Sequence, residues 1–251
     1  MILKLSEGAY PRVERGEGPP VVMLHGMFGS PDNWLHQVEN LSRSHRMVVL
    51  ELPIFDPKWD DPSVEGLSRY ALEYLDWAGF DRAVFVGNSL GGHIALYLAC
   101  HHPDRVQALV LSGSSGLLER GYEQGLPTSP GRDWIYSRVA QVFYDEKTIR
   151  PGMVDEVVNF LDSRKNKFRL VKVAKAAKRT HMGADLHRIT APTLLIWGRQ
   201  DEVTPLEVAL EFKEGIAGAE LVLFDECGHA AMMEKAAEFS KILKKFLDGL
   251  A

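Results

Sequence analysis

Only two cysteines, Cys100 and Cys227, occur among the 251 residues. They lie far apart and form neither a paired zinc-ligand spacing nor a Cys-x-x-Cys redox motif, so no disulfide framework and no metal site is expected. Free thiols fit a reducing compartment, and a cytoplasmic location is the expectation. Long apolar runs are also missing, and nothing approaches the roughly 20 residues that span a bilayer. The opening stretch Met1-Ile2-Leu3-Lys4-Leu5-Ser6-Glu7 lacks the basic, apolar and small-residue regions of a signal peptide. Basic charge is not in excess: 29 Lys and Arg against 34 Asp and Glu give a net charge of -5. No global positive field therefore invites nucleic acid. Repeats and low-complexity tracts are absent as well.

What is present is a globular composition, 45% hydrophobic and 25% charged. Short apolar runs recur at Val21–Leu24, Met47–Leu50, Ala83–Val86, Ala108–Leu111, Thr193–Trp197 and Leu221–Phe224. Such near-continuous apolarity is what a parallel sheet covered on both faces requires. Helical patterns lie between them, from about Ser63 to Ala78 with Gly79 as the stop, from Leu90 to His101 before Pro103, and from Glu234 to Leu247. The expected fold class is a doubly wound α/β sheet. The rhythm breaks after Ser112. Residues 114–185 carry no buried-strand pattern, only two or three helical patterns and a loop at Gly125–Gly131. They read as a helical cap inserted in a core formed by residues 1–113 and 186–251.

The chemistry begins at Gly87-Asn88-Ser89-Leu90-Gly91. G-x-S-x-G is weak alone, because glycine and serine are common. Here it directly follows a strand and opens a helix, the setting in which a sharp turn lifts a serine hydroxyl above the sheet. Serine needs a base, and the base needs an orienting carboxylate. Asp201 follows the strand ending at Trp197, and His229 follows the one ending at Phe224. Both should therefore reach the carboxyl edge of the sheet, where ligands gather. Asp225 and Glu226 are rival orienters, but they share one short loop with His229. The other histidines read as surface or packing residues, and Cys227 as filler.

In this order, Ser89, Asp201 and His229, the chain resembles the α/β-hydrolase superfamily over nearly its whole length. The resemblance implies an α/β-hydrolase fold, a mostly parallel doubly wound sheet with an inserted helical cap. It implies Ser89 as nucleophile, His229 as base and Asp201 as the acid that orients it. His25-Gly26-Met27-Phe28-Gly29 resembles the family's oxyanion loop. The implied oxyanion hole is the backbone N–H of Met27 with that of Leu90, Phe28 being the substitute for Met27. His25 then braces its loop and transfers no proton. No cofactor is implied. One stretch departs from the family: its D-x-P-G-x-G-x-S loop is here Glu51-Leu52-Pro53-Ile54-Phe55-Asp56-Pro57.

The implied activity is hydrolysis of a small-molecule carboxylic ester or thioester through an acyl-enzyme. Two alternatives stand beside it. Gly87-Asn88-Ser89 resembles the G-N-S of meta-cleavage hydrolases, which cut carbon–carbon bonds, although those carry Trp after the histidine and this chain has Ala230. A slow-turnover small-molecule receptor could keep the same residues. Ser89 argues against the dehalogenases and epoxide hydrolases, whose nucleophile is Asp.

Between Arg164 and Arg179 the cations recur without an acid, beside an apolar stripe of Leu170, Val173, Ala174 and Ala177. A solvated helix face is the plain reading. The sharper one is a surface, including Lys172, Lys175 and Lys178, for an anionic partner: an acyl carrier, a coenzyme A ester or acidic lipid. Trp134, Tyr136, Phe143, Tyr144 and Phe160 either line an apolar acyl pocket beneath the cap or form the core of the cap itself.

Overall fold

In the computed structural model, which describes residues 4–118, 127 and 130–250, the apolar runs become strands. In chain order the elements are β1 (Arg12–Arg15), β2 (Pro20–Leu24), α1 (Leu35–Leu41), β3 (Arg46–Leu50), α2 (Val64–Ala78), β4 (Ala83–Asn88), α3 (Leu90–His101) and β5 (Val106–Ser112). After these come α4 (Arg132–Ala140), α5 (Met153–Asp162), α6 (Arg164–Arg179), β6 (Thr193–Gly198), α7 (Leu206–Gly215), β7 (Glu220–Phe224), α8 (Ala231–Glu234) and α9 (Ala236–Asp248). The strands join in the order β1-β3-β2-β4-β5-β6-β7. All pairs are parallel except β1 with β3.

The fold is the α/β-hydrolase fold, and its layers follow from the two-residue side-chain period of strands. Val22, Leu24, Val48, Leu50, Phe85, Leu109, Leu195 and Trp197 face α2, α3 and α7. Their neighbours Val21, Met23, Met47, Val49, Val84, Val86, Val110 and Ile196 face the opposite core with α1 and α9. Each fully buried Val or Leu contributes roughly 1.5–3 kcal/mol. Such strands have no exposed face left for polar residues.

Local signals set the helix limits. The Ser63 hydroxyl accepts from Gly66 N–H at 3.0 Å and starts α2. Gly79, at φ 73°, ends it, with Phe80 N–H donating to Leu75 O at 2.8 Å. The central α3 is buried along almost its whole circumference, as a helix apolar all round must be.

Two features are not legible in the sequence. The strand β1 is not legible in the sequence, because Arg12-Val13-Glu14-Arg15 has one buried residue and sits on the sheet edge. The helix expected over Glu234–Leu247 is α9, starting two residues later, and the short α8, separated from it at Lys235 (φ -119°, ψ 45°), is an addition before it. The helices α1 and α7 also lie between strands, as the alternating pattern implies. Between β5 and β6 the described residues hold α4, α5 and α6 and no strand. The loop expected at Gly125–Gly131 lies mostly outside the described residues.

Candidate active site

The strand order brings the ends of β2, β4, β5, β6 and β7 side by side. Ser89 follows β4 directly, at φ 53° and ψ -121°, a left-handed conformation costly for any residue but glycine. Its N–H donates to Gly113 O (3.1 Å) and Ser112 O (3.3 Å), and its carbonyl accepts from His93 and Ser115. These bonds hold the strained turn. The flanking glycines are needed for space: a Cβ at Gly87 would lie 2.3 Å from Gly91 O, and one at Gly91 would lie 2.2 Å from Leu24 O. Although Ser89 occupies the N-cap of α3, its hydroxyl makes no capping bond and stays available.

Asp201 and His229 meet. His229 Nδ1 lies 2.9 Å from Asp201 Oδ2, and both side chains are buried. A proton on Nδ1 directed at the carboxylate leaves Nε2 with a lone pair, the tautomer a general base requires. Asp201 is itself held: Oδ1 accepts from Val203 N–H and Thr204 N–H, each at 2.9 Å, and Oδ2 accepts from Thr204 Oγ1 at 2.8 Å. Gly113 abuts this pair, since a Cβ there would lie 2.8 Å from His229 Nδ1. The rival acids point elsewhere. Asp225 pairs with Arg199 at 2.7 Å and is 79% exposed, while Glu226 is exposed at φ 51°.

The loop carrying His229 is tied from three sides. Asn88 Nδ2 donates to His229 O at 3.0 Å and to Ser112 O at 2.9 Å. His229 N–H donates to Val142 O at 2.9 Å. Glu234 Oε1 accepts from Gly228 N–H at 2.8 Å, while Oε2 accepts from Tyr144 N–H at 2.7 Å and Asp145 N–H at 3.2 Å. One carboxylate thus joins the histidine loop to the segment leaving α4. Neither Thr204 nor Glu234 is identifiable from the sequence, because a Thr or Glu a few residues from a motif carries no signal of what it bonds.

After β2, His25 braces its loop. Its Nε2 accepts from Leu52 N–H at 3.1 Å and Nδ1 donates to Gly26 O at 2.9 Å. Burial lowers its pKa to about 4, so the ring is neutral and fixed in that tautomer. Met27 comes next, on the cavity wall. Leu90 opens α3, where the first helical N–H groups have no intrahelical acceptor. Leu90 thus lies in the first turn of α3 directly after Ser89, and the loop carrying Met27 comes close from the other side: a Cβ at Gly26 would be 3.1 Å from Ser89 Cβ.

A cavity of about 1530 Å³ opens over Ser89 and His229. Its wall is mainly apolar, with Met27, Phe55, Phe160 and Met232 among its residues. Phe55 and Phe160 pack at 4.4 Å between ring centroids. Of the aromatics expected here, Trp134, Phe143 and Phe160 line the cavity. Tyr136 and Tyr144 do not: Tyr136 turns outward to Glu146 at 2.7 Å, and Tyr144 is 50% exposed. Glu51, also on the wall, has its pKa raised to about 7 by burial, with Asp32 adding to it. Of the basic-helix residues singled out in the sequence, Lys175 and Lys178 reach the wall, whereas Lys172 Nζ donates to Asp60 O at 3.2 Å.

Comparison with known proteins gives the same architecture. The model of the alpha/beta hydrolase family matches residues 21–242. A 2-hydroxy-6-oxononadienedioate/2-hydroxy-6-oxononatrienedioate hydrolase of Cupriavidus pinatubonensis is 32% identical, over 90% of this chain and 86% of that protein. A monoacylglycerol lipase of Bos taurus is 27% identical, over 92% of this chain and 76% of that protein. Among solved structures, an alpha/beta hydrolase enzyme from the metagenome of Mar Chica lagoon sediments superposes with a TM-score of 0.80. It is 34% identical, over 98% of each chain.

Proposed function

The chain belongs to the alpha/beta hydrolase family, and from that premise we propose that it is a serine hydrolase cleaving a carboxylic ester or thioester through an acyl-enzyme. The observation that carries this reading is the buried 2.9 Å bond between His229 Nδ1 and Asp201 Oδ2, with Ser89 on the same cavity wall. Ser89 Oγ attacks the carbonyl carbon and passes its proton to His229 Nε2. The N–H groups of Met27 and Leu90 receive the oxyanion. The alcohol or thiol departs with the proton from His229. Water, deprotonated by the same nitrogen, then releases the acid and restores Ser89. The apolar wall suits an acyl chain.

A second reading, hydrolysis of a carbon–carbon bond in a dienoate, has one observation of its own. Arg138 lines the cavity with its guanidinium 5.5 Å from the Trp134 ring centroid. Its buried Nε has no hydrogen-bond partner, and it forms no ion pair among the described residues. That side chain is suited to a substrate carboxylate, such as the one named in the Cupriavidus hydrolase's substrate.

The test is a substrate panel run beside Ser89→Ala. Neutral esters of graded acyl length and a 2-hydroxy-6-oxo-dienedioate are offered to both proteins. Turnover of the esters with Ser89-dependent labelling by a fluorophosphonate supports the first reading. Turnover of the dienedioate alone, lost in Arg138→Ala, replaces it with the second.

A further inference from the structure

The helix α6 carries eight lysines and arginines and no acid. Its first turn holds Arg164, Lys165 and Lys167, at the end where the helix dipole disfavours cations. Helix stability therefore does not explain the pattern. The inward face is ordinary: Leu170 and Val173 are buried, and Arg169 donates to the carbonyls of Ile54, Pro53 and Trp59 at 2.7–3.2 Å.

The outward face is not ordinary. Arg164, Phe168, Val171, Lys175 and Lys178 recur at steps of three and four residues, so they share one side of the helix. Phe168 is 74% exposed and Val171 is 36% exposed, the former in a ring of cations. Arg164, Lys165, Lys175, Lys178 and Arg179 have no carboxylate partner among the described residues. The same helix borders the cavity over Ser89 through Val171, Lys175 and Lys178.

We propose that the outer face of α6 docks on an anionic lipid surface, with Phe168 entering the acyl boundary while the flanking cations meet headgroup phosphates. The apolar stripe of α6 is already packed inward, and what its outer face offers a lipid surface is a cluster of cations around one exposed aromatic ring, Phe168. Anionic headgroups attract such clusters within a Debye length, even on a chain whose net charge is -5. An exposed ring set among cations matches a surface that is anionic outside and apolar beneath, as a charged lipid layer is. Docking in this orientation sets the cavity mouth against the lipid.

Binding is independent of the chemistry at Ser89, so the test separates the two ideas. The full chain and Ser89→Ala are mixed with vesicles of phosphatidylcholine alone, or of phosphatidylcholine with about 30% phosphatidylglycerol, and co-sedimentation is measured. Both proteins should sediment with the anionic vesicles at about 0.1 M salt, and several-fold less with neutral vesicles or at about 1 M salt. Phe168→Ser and Arg164→Ser/Lys165→Ser should each lower the bound fraction several-fold. Neither substitution touches the cavity wall, so thermal unfolding and turnover of a short soluble ester should match the parent. Equal sedimentation of parent and variants, or none with anionic vesicles, overturns the proposal. Retention by a soluble acidic acyl carrier protein without retention by vesicles overturns it too, in favour of a protein partner.

Discussion

The side-chain amide of Asn88 donates to the backbone carbonyl of His229 at 3.0 Å. The residue preceding the serine thereby holds the loop that carries the base, so β4 and the loop after β7 set one distance between them. Asn88→Ala removes the tie and should lower kcat by about tenfold to 10²-fold, since displacement of about 1 Å at a catalytic group costs that much. KM should change little. Steady-state kinetics on a short ester check this, and an unchanged kcat would make the bond purely structural.

Asp201→Asn should keep the fold and lose on the order of 10⁴ in rate, because an amide stabilises the wrong imidazole tautomer. Asp225→Asn and Glu226→Gln should stay within about twofold, given that Asp225 is engaged by Arg199 in solvent. The three variants, assayed together, assign the acid.

Glu234→Gln replaces an acceptor with an NH₂ group that cannot accept from Gly228 or from Tyr144 and Asp145. One of these donor sets is then left without its acceptor, and because the bonds are partly exposed the cost is about 0.5–1.5 kcal/mol. The expected result is a lower unfolding midpoint together with a fall in kcat, because both the histidine loop and the segment after α4 lose their shared anchor. A stability loss with kcat intact would limit Glu234 to packing.

Acid should destabilise the fold through His25 and His93, whose pKa values burial lowers from 6.5 to about 4. The unfolded chain binds more protons than the native state between those values, so this stability is complete above about pH 6.5 and is lost as pH falls toward 4. Each histidine contributes up to about 3 kcal/mol over that window. Glu51 acts in the opposite sense: its pKa is raised to about 7, so the native state binds the extra proton between about 4.5 and 7. Two histidines outweigh one carboxylate. Denaturant midpoints measured from pH 7.5 to 4.5 should fall, and Glu51→Gln should steepen the fall.

Burial raises the pKa of both Cys100 and Cys227 to about 12. Neither thiol should react with Ellman's reagent at pH 8 in the native protein, and both should react in guanidinium, where they revert to ordinary thiols. Fast reaction of one thiol in the native state would locate an opening of its surroundings.

Local pattern and short-range turn chemistry make several features readable along the chain. Five strands, β2 to β6, are buried on both faces and cannot hide their apolarity, and Ser63 and Gly79 bound α2 through contacts within a few residues. The positions of Ser89, Asp201 and His229 after three strands were legible for the same reason: parallel strands deliver the residues at their carboxyl ends to one edge of the sheet. Other features arise only when distant segments pack together. The edge strand β1 exists only because β3 offers it partners. Glu234 reaches Gly228, Tyr144 and Asp145, partners that no helical period records. Within the basic helix, Arg169 faces three carbonyls and Phe168 faces solvent. A sequence shows charge and periodicity. Which side of the helix the neighbouring loop covers is a property of packing.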